Sequence, residues 1–216
     1  LSQRNGKSNP EVMIPGKVVE VMVELNHTAY VVPKGHKLRL AVSTSYWPIA
    51  WPAPTNTCLT IYSGLSLLKL PVLGKNATTE ALTDFSKNTL EEEDPTTTMR
   101  EFRHNRKFSF DTKQNLNVLE IKADNGKMKI KENGIEIGSK SLYRFSIGES
   151  DPLSAIAEYE WEWEYGRDNW QTKTHTYTRI TSDLNHFYLY AVLIAWENNK
   201  QVLKKVWDEQ FKRDHF

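Results

Sequence analysis

Ser43-Thr44-Ser45-Tyr46-Trp47-Pro48-Ile49-Ala50-Trp51-Pro52 gathers hydroxyls, a tyrosine and two tryptophans, each tryptophan followed by proline, within ten residues. A serine hydroxyl attacks only when a base activates it, and no G-x-S-x-G elbow surrounds any serine of the chain. Ser66 and Ser150 each follow a glycine by two positions but lack the second glycine. The chemistry open to Ser43, Ser45, Tyr46, Trp47, Pro48 and Trp51 is recognition. Proline cannot donate to a strand ladder, so the strand before it ends there and becomes a stiff, extended loop. Large aromatics on such a loop are costly to leave in water, and two readings stay open. They cap one end of the fold, or they dock another domain, where rigid aromatics make good anchors.

Elsewhere the residue types with chemical capacity lack the spacing to use it. There is no H-E-x-x-H, no C-x-x-C and no glycine-rich phosphate loop. The six histidines, His27, His36, His104, His175, His186 and His215, are scattered, with no pair at metal-ligand spacing. No metal and no cofactor are expected. The lone Cys58 excludes an internal disulfide and reads as a small core residue in an apolar-polar alternation. The acidic run Glu91–Asp94 reads as a solvated loop, because adjacent acids lack the alternating spacing of a calcium loop. With 28 basic and 27 acidic residues the formal charge is +1, which lacks the footprint of a nucleic-acid binder. No apolar run approaches the roughly 20 residues that span a bilayer. The expectation is a cytoplasmic chain without nucleic-acid or membrane partners.

The elements that must position these residues are strands. At 216 residues and 39% hydrophobic content the chain can build one full domain with a real core. Period-two alternation runs through Lys17–Leu25 and His36–Thr44. Thr57–Tyr62 and Ser66–Val72 flank a Ser63-Gly64 turn and read as a hairpin. Leu116–Ala123, Lys127–Glu132 and Ile135–Ile137 are separated by Asp124-Asn125-Gly126 and Asn133-Gly134. Asn-Gly is a strong hairpin signal because both residues tolerate positive φ. Ser141–Ile147, Ser154–Tyr165, Trp170–Thr181, His186–Glu197 and Lys200–Phe211 complete an all-β pattern, which implies a sandwich or jelly roll in which two sheets cover each other. His186–Glu197 is apolar on both faces and reads as a central strand. Residues 74–112, with few apolar anchors, read as a long mobile excursion.

Within this pattern Ala157-Glu158-Tyr159-Glu160-Trp161-Glu162-Trp163-Glu164-Tyr165 sorts acids from aromatics. Pairing it with Trp170–Thr181 across a Gly166–Asn169 loop sets Glu162 opposite Lys173 and Glu160 opposite His175. Trp163, Trp161 and Tyr159 then face Thr172, Thr174 and Thr176. Each pair contributes about 0.2–1 kcal/mol. The acids face solvent, and the aromatics line the inside of the sandwich.

Gly35-His36-Lys37-Leu38-Arg39-Leu40-Ala41-Val42-Ser43-Thr44-Ser45, with its proline-bearing aromatic loop, resembles the C-terminal β-sandwich of the cocaine esterase and X-Pro dipeptidyl-peptidase family of serine hydrolases. That family's strand has the form G-H-R-L-R-L-x-x-S-x-S. Gly134–Ile147, Asp151–Ala155, Gly166–Thr181, His186-Phe187 and Lys212-Arg213-Asp214 agree in the same order. The resemblance implies a single galactose-binding-like, jelly-roll-like sandwich over residues 1–216 that lacks its first strands. It also implies a non-catalytic role: the family's triad sits on an upstream α/β-hydrolase domain with no counterpart in these residues. The catalytic domain is then the partner, and a homo-oligomer is a further one; a separate reading is a free-standing scaffold that pairs through strands left open by the missing first strands. Ser43, Ser45, Tyr46, Trp47, Pro48 and Trp51 would face the catalytic domain, where the sandwich would shape substrate access. The chain alone is expected to be inactive as an acyl esterase or peptidase. The competing reading is an independent carbohydrate-binding jelly-roll module, which needs two coplanar exposed rings, with Trp47 and Trp51 as the candidates.

Overall fold

A computed structural model describes residues 2–74 and 94–215. Among the described residues eight strands form one antiparallel sheet: β1 Thr96–Arg100, β2 Arg103–Asp111, β3 Leu116–Ile130, β4 Glu136–Gly148, β5 Asp151–Arg167, β6 Trp170–Ser182, β7 His186–Glu197 and β8 Lys200–Lys212. From β3 to β8 each strand pairs with the next in sequence, and β1 and β2 share the outer side of β3. No helix occurs among the described residues. The all-β class read from the sequence stands, and the sheet is consistent with one layer of a sandwich.

Tight turns set this order. Asn198 and Asn199, both at positive φ (46° and 66°), join β7 to β8. Asparagine tolerates that region, and the paired positive angles match the twist of the flanking strands. Asn133-Gly134 turns β3 into β4 as expected, with Gly134 at φ 72° and its N–H donating to the Ile130 carbonyl at 2.8 Å. Asn125-Gly126 does not turn the chain. It is a bulge inside the continuous strand β3, where the pairing skips from Asp124 to Lys127. Gly126 sits at φ 81°, and a Cβ there would lie 2.7 Å from the Arg100 carbonyl oxygen. Positive φ serves a bulge as well as a turn.

The β5–β6 register also differs from the expectation, by two residues. Arg167 pairs with Trp170, so the turn is Asp168-Asn169 alone, with Asp168 at φ 52°. Glu164 faces Lys173, Glu162 faces His175, and Trp163, Trp161 and Tyr159 face Thr174, Thr176 and Thr178. A slip of two keeps every side chain on its own face. The expected charge partners are therefore met diagonally, Lys173 Nζ at 2.5 Å from Glu162 and His175 Nε2 at 3.7 Å from Glu160.

Four further expectations are corrected. Lys17–Leu25, His36–Thr44, Thr57–Tyr62 and Ser66–Val72 form no ladder, although Leu65 N–H still closes the Ser63-Gly64 turn onto Tyr62 at 3.0 Å. Alternation marks an extended segment, but a strand also needs a neighbour to pair with, and Leu38 and Leu40 remain 64% and 61% exposed. The expected excursion at 74–112 falls partly on residues 75–93, outside the described residues, as does the acidic run up to Asp94. Its later part is strand, because β1 and β2 pair with β3. β7 is next to the β8 edge rather than central, and Cys58 is exposed rather than in the core.

The core lies across β3, β4 and β5. Leu119, Phe145 and Ala157 are buried on the aromatic face, with Ile121, Tyr143, Tyr159 and Ile180 against them. Trp47 and Trp51 complete this cluster from outside the sheet.

Candidate functional site

The site is built where the tryptophan loop meets one end of the sheet. The Trp47–Pro48 peptide is cis, and Ala50 N–H donates to the Tyr46 carbonyl at 2.9 Å, closing a compact turn. Trp47 and Trp51 meet edge to face, 5.0 Å apart at 88°. Trp47 stands edge-on to Phe145 of β4 at 5.9 Å, and Trp51 edge-on to Phe187 of β7 at 5.7 Å. Such arrangements set a positive ring edge against a negative face and add about 0.5–1.5 kcal/mol each beyond burial.

Polar contacts fix the same loop. Trp51 Nε1–H donates to Ser182 Oγ at 2.9 Å, at the end of β6. Asn56 Nδ2 donates to the Ser150 carbonyl at 3.1 Å, in the β4–β5 turn. Arg213, just past β8, is buried, only 3% exposed. Its guanidinium donates to Ser182 Oγ and the Asp183 carbonyl, both at 3.0 Å, and to the Pro52 carbonyl at 2.8 Å. It also lies 4.7 Å from the Phe187 ring centroid. Burial pulls the guanidinium below its usual value, and the Asp183 carboxylate partly restores it. The planar fork suits this task, since one side chain reaches three acceptors and still stacks on a ring.

Beside it, the Tyr188 hydroxyl and the backbone N–H groups of Asn185 and His186 all donate to Asp183, at 2.6–2.7 Å. These bonds stabilise the ionised form and hold the Asp183 carboxyl at about 2. The β6–β7 turn is therefore a rigid seat for Arg213 and Trp51.

Not every residue expected at the site is brought together. Trp47, Pro48 and Trp51 are half-buried against the chain's own sheet. Ser43 and Ser45 are exposed and engage each other, Ser43 Oγ donating to the Ser45 carbonyl at 2.6 Å. Tyr46 and Ile49 project outward, 69% and 76% exposed. No basic or acidic side chain hydrogen-bonds either serine, so neither has an activating base among the described residues. Trp47 and Trp51, set perpendicular, do not offer two coplanar faces. Arg213, Ser182 and Phe187 were not singled out as site residues. Their hydrogen-bond partners lie 30 to 161 positions away, a separation no spacing rule reads.

A second aromatic group runs on from the first along β5. Trp161 and Trp163 are parallel within 7° at 5.7 Å, and Trp163 and Tyr165 within 10° at 6.0 Å. The three rings stand as a parallel row along the strand, at spacings of offset stacking. Ser139 and Ser141, buried on β4, leave the room they occupy. Trp161 is half-buried as expected of an inner wall, whereas Trp163 and Tyr165 are 37% and 40% exposed.

The opposite face carries the acids. Arg144 reaches Glu158 at 3.2 Å, and Arg100 reaches both Asp124 and Glu164 at 2.8 and 2.9 Å. Tyr177 donates to Glu158 at 2.7 Å, and burial together with that carboxylate pushes its phenol up to about 12. These are surface ties between strands. Among the described residues no group of three or more His, Cys, Asp or Glu is placed to hold a metal ion. No helix among them is long and apolar enough to cross a membrane.

Residues 1–86 match the family model of the X-Pro dipeptidyl-peptidase C-terminal non-catalytic domain. The resemblance to that family holds over this segment. It contains the tryptophan loop and ends before β1, so the sheet onto which the loop docks lies outside the match. No curated protein and no solved structure matches the chain.

Proposed function

We propose that the chain is the non-catalytic β-sandwich of a serine hydrolase of the acyl-esterase or X-Pro dipeptidyl-peptidase type, with an α/β-hydrolase catalytic domain as its partner. In this reading the sandwich is jelly-roll-like, supports the catalytic domain and shapes access to its substrate pocket. The observation that carries it is a division of labour in the matched segment. Trp47 and Trp51 anchor the loop to the sheet, while Tyr46 and Ile49 stand out from it. Ser43 and Ser45, with no base beside them, supply hydroxyl edges to the same surface rather than a nucleophile. Rigid apolar side chains presented this way lose little entropy on docking.

The reading predicts that the purified chain does not turn over a simple aryl ester. Hydrolysis by the chain that disappears on replacing one of its own serines would overturn it.

A further inference from the structure

Strand β2 pairs only with β3 among the described residues, so its second edge is open. Every residue from Arg103 to Phe110 is exposed. Within nine residues the strand carries Arg103, His104, Arg106 and Lys107, followed by Phe108 and Phe110. We propose that this edge takes an acidic, extended segment of a partner protein as an added antiparallel strand. The inference is independent of the hydrolase reading.

Charge selects the occupant. On the neighbouring strands basic side chains are matched: Lys122 and Lys127 of β3 and Lys140 and Arg144 of β4 each reach a carboxylate at 2.8–4.0 Å. Arg103, Arg106 and Lys107 reach none among the described residues. The strand's single acid, Asp111, stands at its far end and accepts from the backbone N–H groups of Lys113 and Gln114 in its own turn. A second copy of β2 would bring two basic stretches together, which is unfavourable across a ladder, whereas carboxylates in the added strand would pair with each cation. Charges also guard natural edges against pairing, but a guard gives no role to Phe108 and Phe110, which stand beside them 69% and 50% exposed. Arg106 lies 5.1 Å from the Phe108 ring centroid, so cation and ring form one surface.

The ladder fixes which side chains meet. Every strand pairing in this sheet is antiparallel, and that pairing is slightly the more stable per residue. Arg106, Phe108 and Phe110 share the aromatic side, through their pairing with Ile121, Leu119 and Asn117, while Arg103, Asn105 and Lys107 share the acid side. A matching strand therefore carries apolar residues opposite Phe110 and Phe108 and carboxylates opposite Lys107, Arg106 and Arg103. In antiparallel order this reads Thr-Val-Thr-Val-Glu-Glu-Thr-Thr-Glu. The open backbone edge favours a peptide over a nucleic acid, because its N–H and C=O groups are completed only by another extended backbone.

Fluorescence anisotropy of that labelled peptide, titrated with the full chain, tests this. Saturable binding with a Kd in the micromolar range is expected, weakening as added salt screens the charges. Two further versions of the peptide are N-methylated on alternate residues, one in each phase. The version whose N–H groups would face β2 cannot donate to the ladder and should bind about tenfold more weakly than the other. Arg103→Glu with Arg106→Glu should weaken binding of the parent peptide about tenfold or more, and the peptide with lysine in place of each glutamate should bind that variant instead. That recovery separates lost charge from lost folding. Absence of saturable binding overturns the proposal, as do equal affinities for the two methylated versions or an unchanged affinity of the variant. Tighter binding of a single-stranded oligonucleotide than of the peptide overturns it too, in favour of a phosphate-binding surface.

Discussion

Replacing Arg213 by alanine removes the guanidinium that ties the tryptophan loop, the β6–β7 turn and the chain end together. Two carbonyls, of Pro52 and Asp183, and the Ser182 hydroxyl lose their donor. Leaving one buried acceptor unpaired costs about 1–3 kcal/mol, and the Pro52 residue is buried. The lost stacking on Phe187 adds about 0.5–2 kcal/mol. Part of this is offset because a charge buried in the folded state no longer has to leave water. The net expectation is a loss of about 3 kcal/mol, or about 6–12 °C in Tm for a chain of this size. Urea unfolding followed by tryptophan emission reads both the loss and its place. Trp51 should shift towards longer wavelength before the main transition, since its loop detaches first. Arg213→Lys should recover little, because an ammonium has neither the fork nor the flat face. A loss below about 0.5 kcal/mol, or full rescue by lysine, would refute the clamp.

Other expectations follow from single contacts. Trp51→Phe keeps an aromatic ring but removes the donor to Ser182 and part of the indole's packing, and should cost about 1–3 kcal/mol in urea unfolding. Gly126→Ala forces a side chain at φ 81° against the Arg100 carbonyl and should cost about 2–3 kcal/mol, with β1 losing amide-exchange protection first. Asp183 has a folded value depressed to about 2 from an ordinary 3.8, so its contribution is complete above about 4 and is lost as pH falls towards about 2. An acid titration followed by exchange at Asn185 and His186 checks this, and Asp183→Asn should abolish the step. Tyr177 has the opposite sign. Its value is raised from 10.0 to about 12, so its contribution is whole below about 10 and lost as pH rises through about 12, and Tyr177→Phe should remove that alkaline phase.

The sequence made faces legible more readily than partners. The strict acid-aromatic alternation of 157–165 placed Glu158, Glu160, Glu162 and Glu164 on one side of β5 and the rings on the other, as the structure has them. It could not choose between registers two residues apart, because both keep those faces; the two-residue Asp168-Asn169 turn decides. Asn125-Gly126 and Asn133-Gly134 look alike in sequence. In the fold the first lies inside a continuous strand, with the Arg100 backbone close against Gly126, and is a bulge. β1 and β2 were hidden because edge strands such as Arg103–Asp111 bury little and so carry few apolar anchors. The tryptophan loop was legible as a rigid aromatic element. Its seat was not, because Arg213, Ser182 and Phe187 reach it only through the folded sheet.

The most direct test is calorimetric titration of the chain into the α/β-hydrolase domain proposed as its partner. Saturable binding is expected, weakened at least about tenfold by Tyr46→Ser with Ile49→Ser and left unchanged by Glu162→Gln on the acid face. Absence of binding, or equal affinity for the loop variant and wild type, would contradict the account.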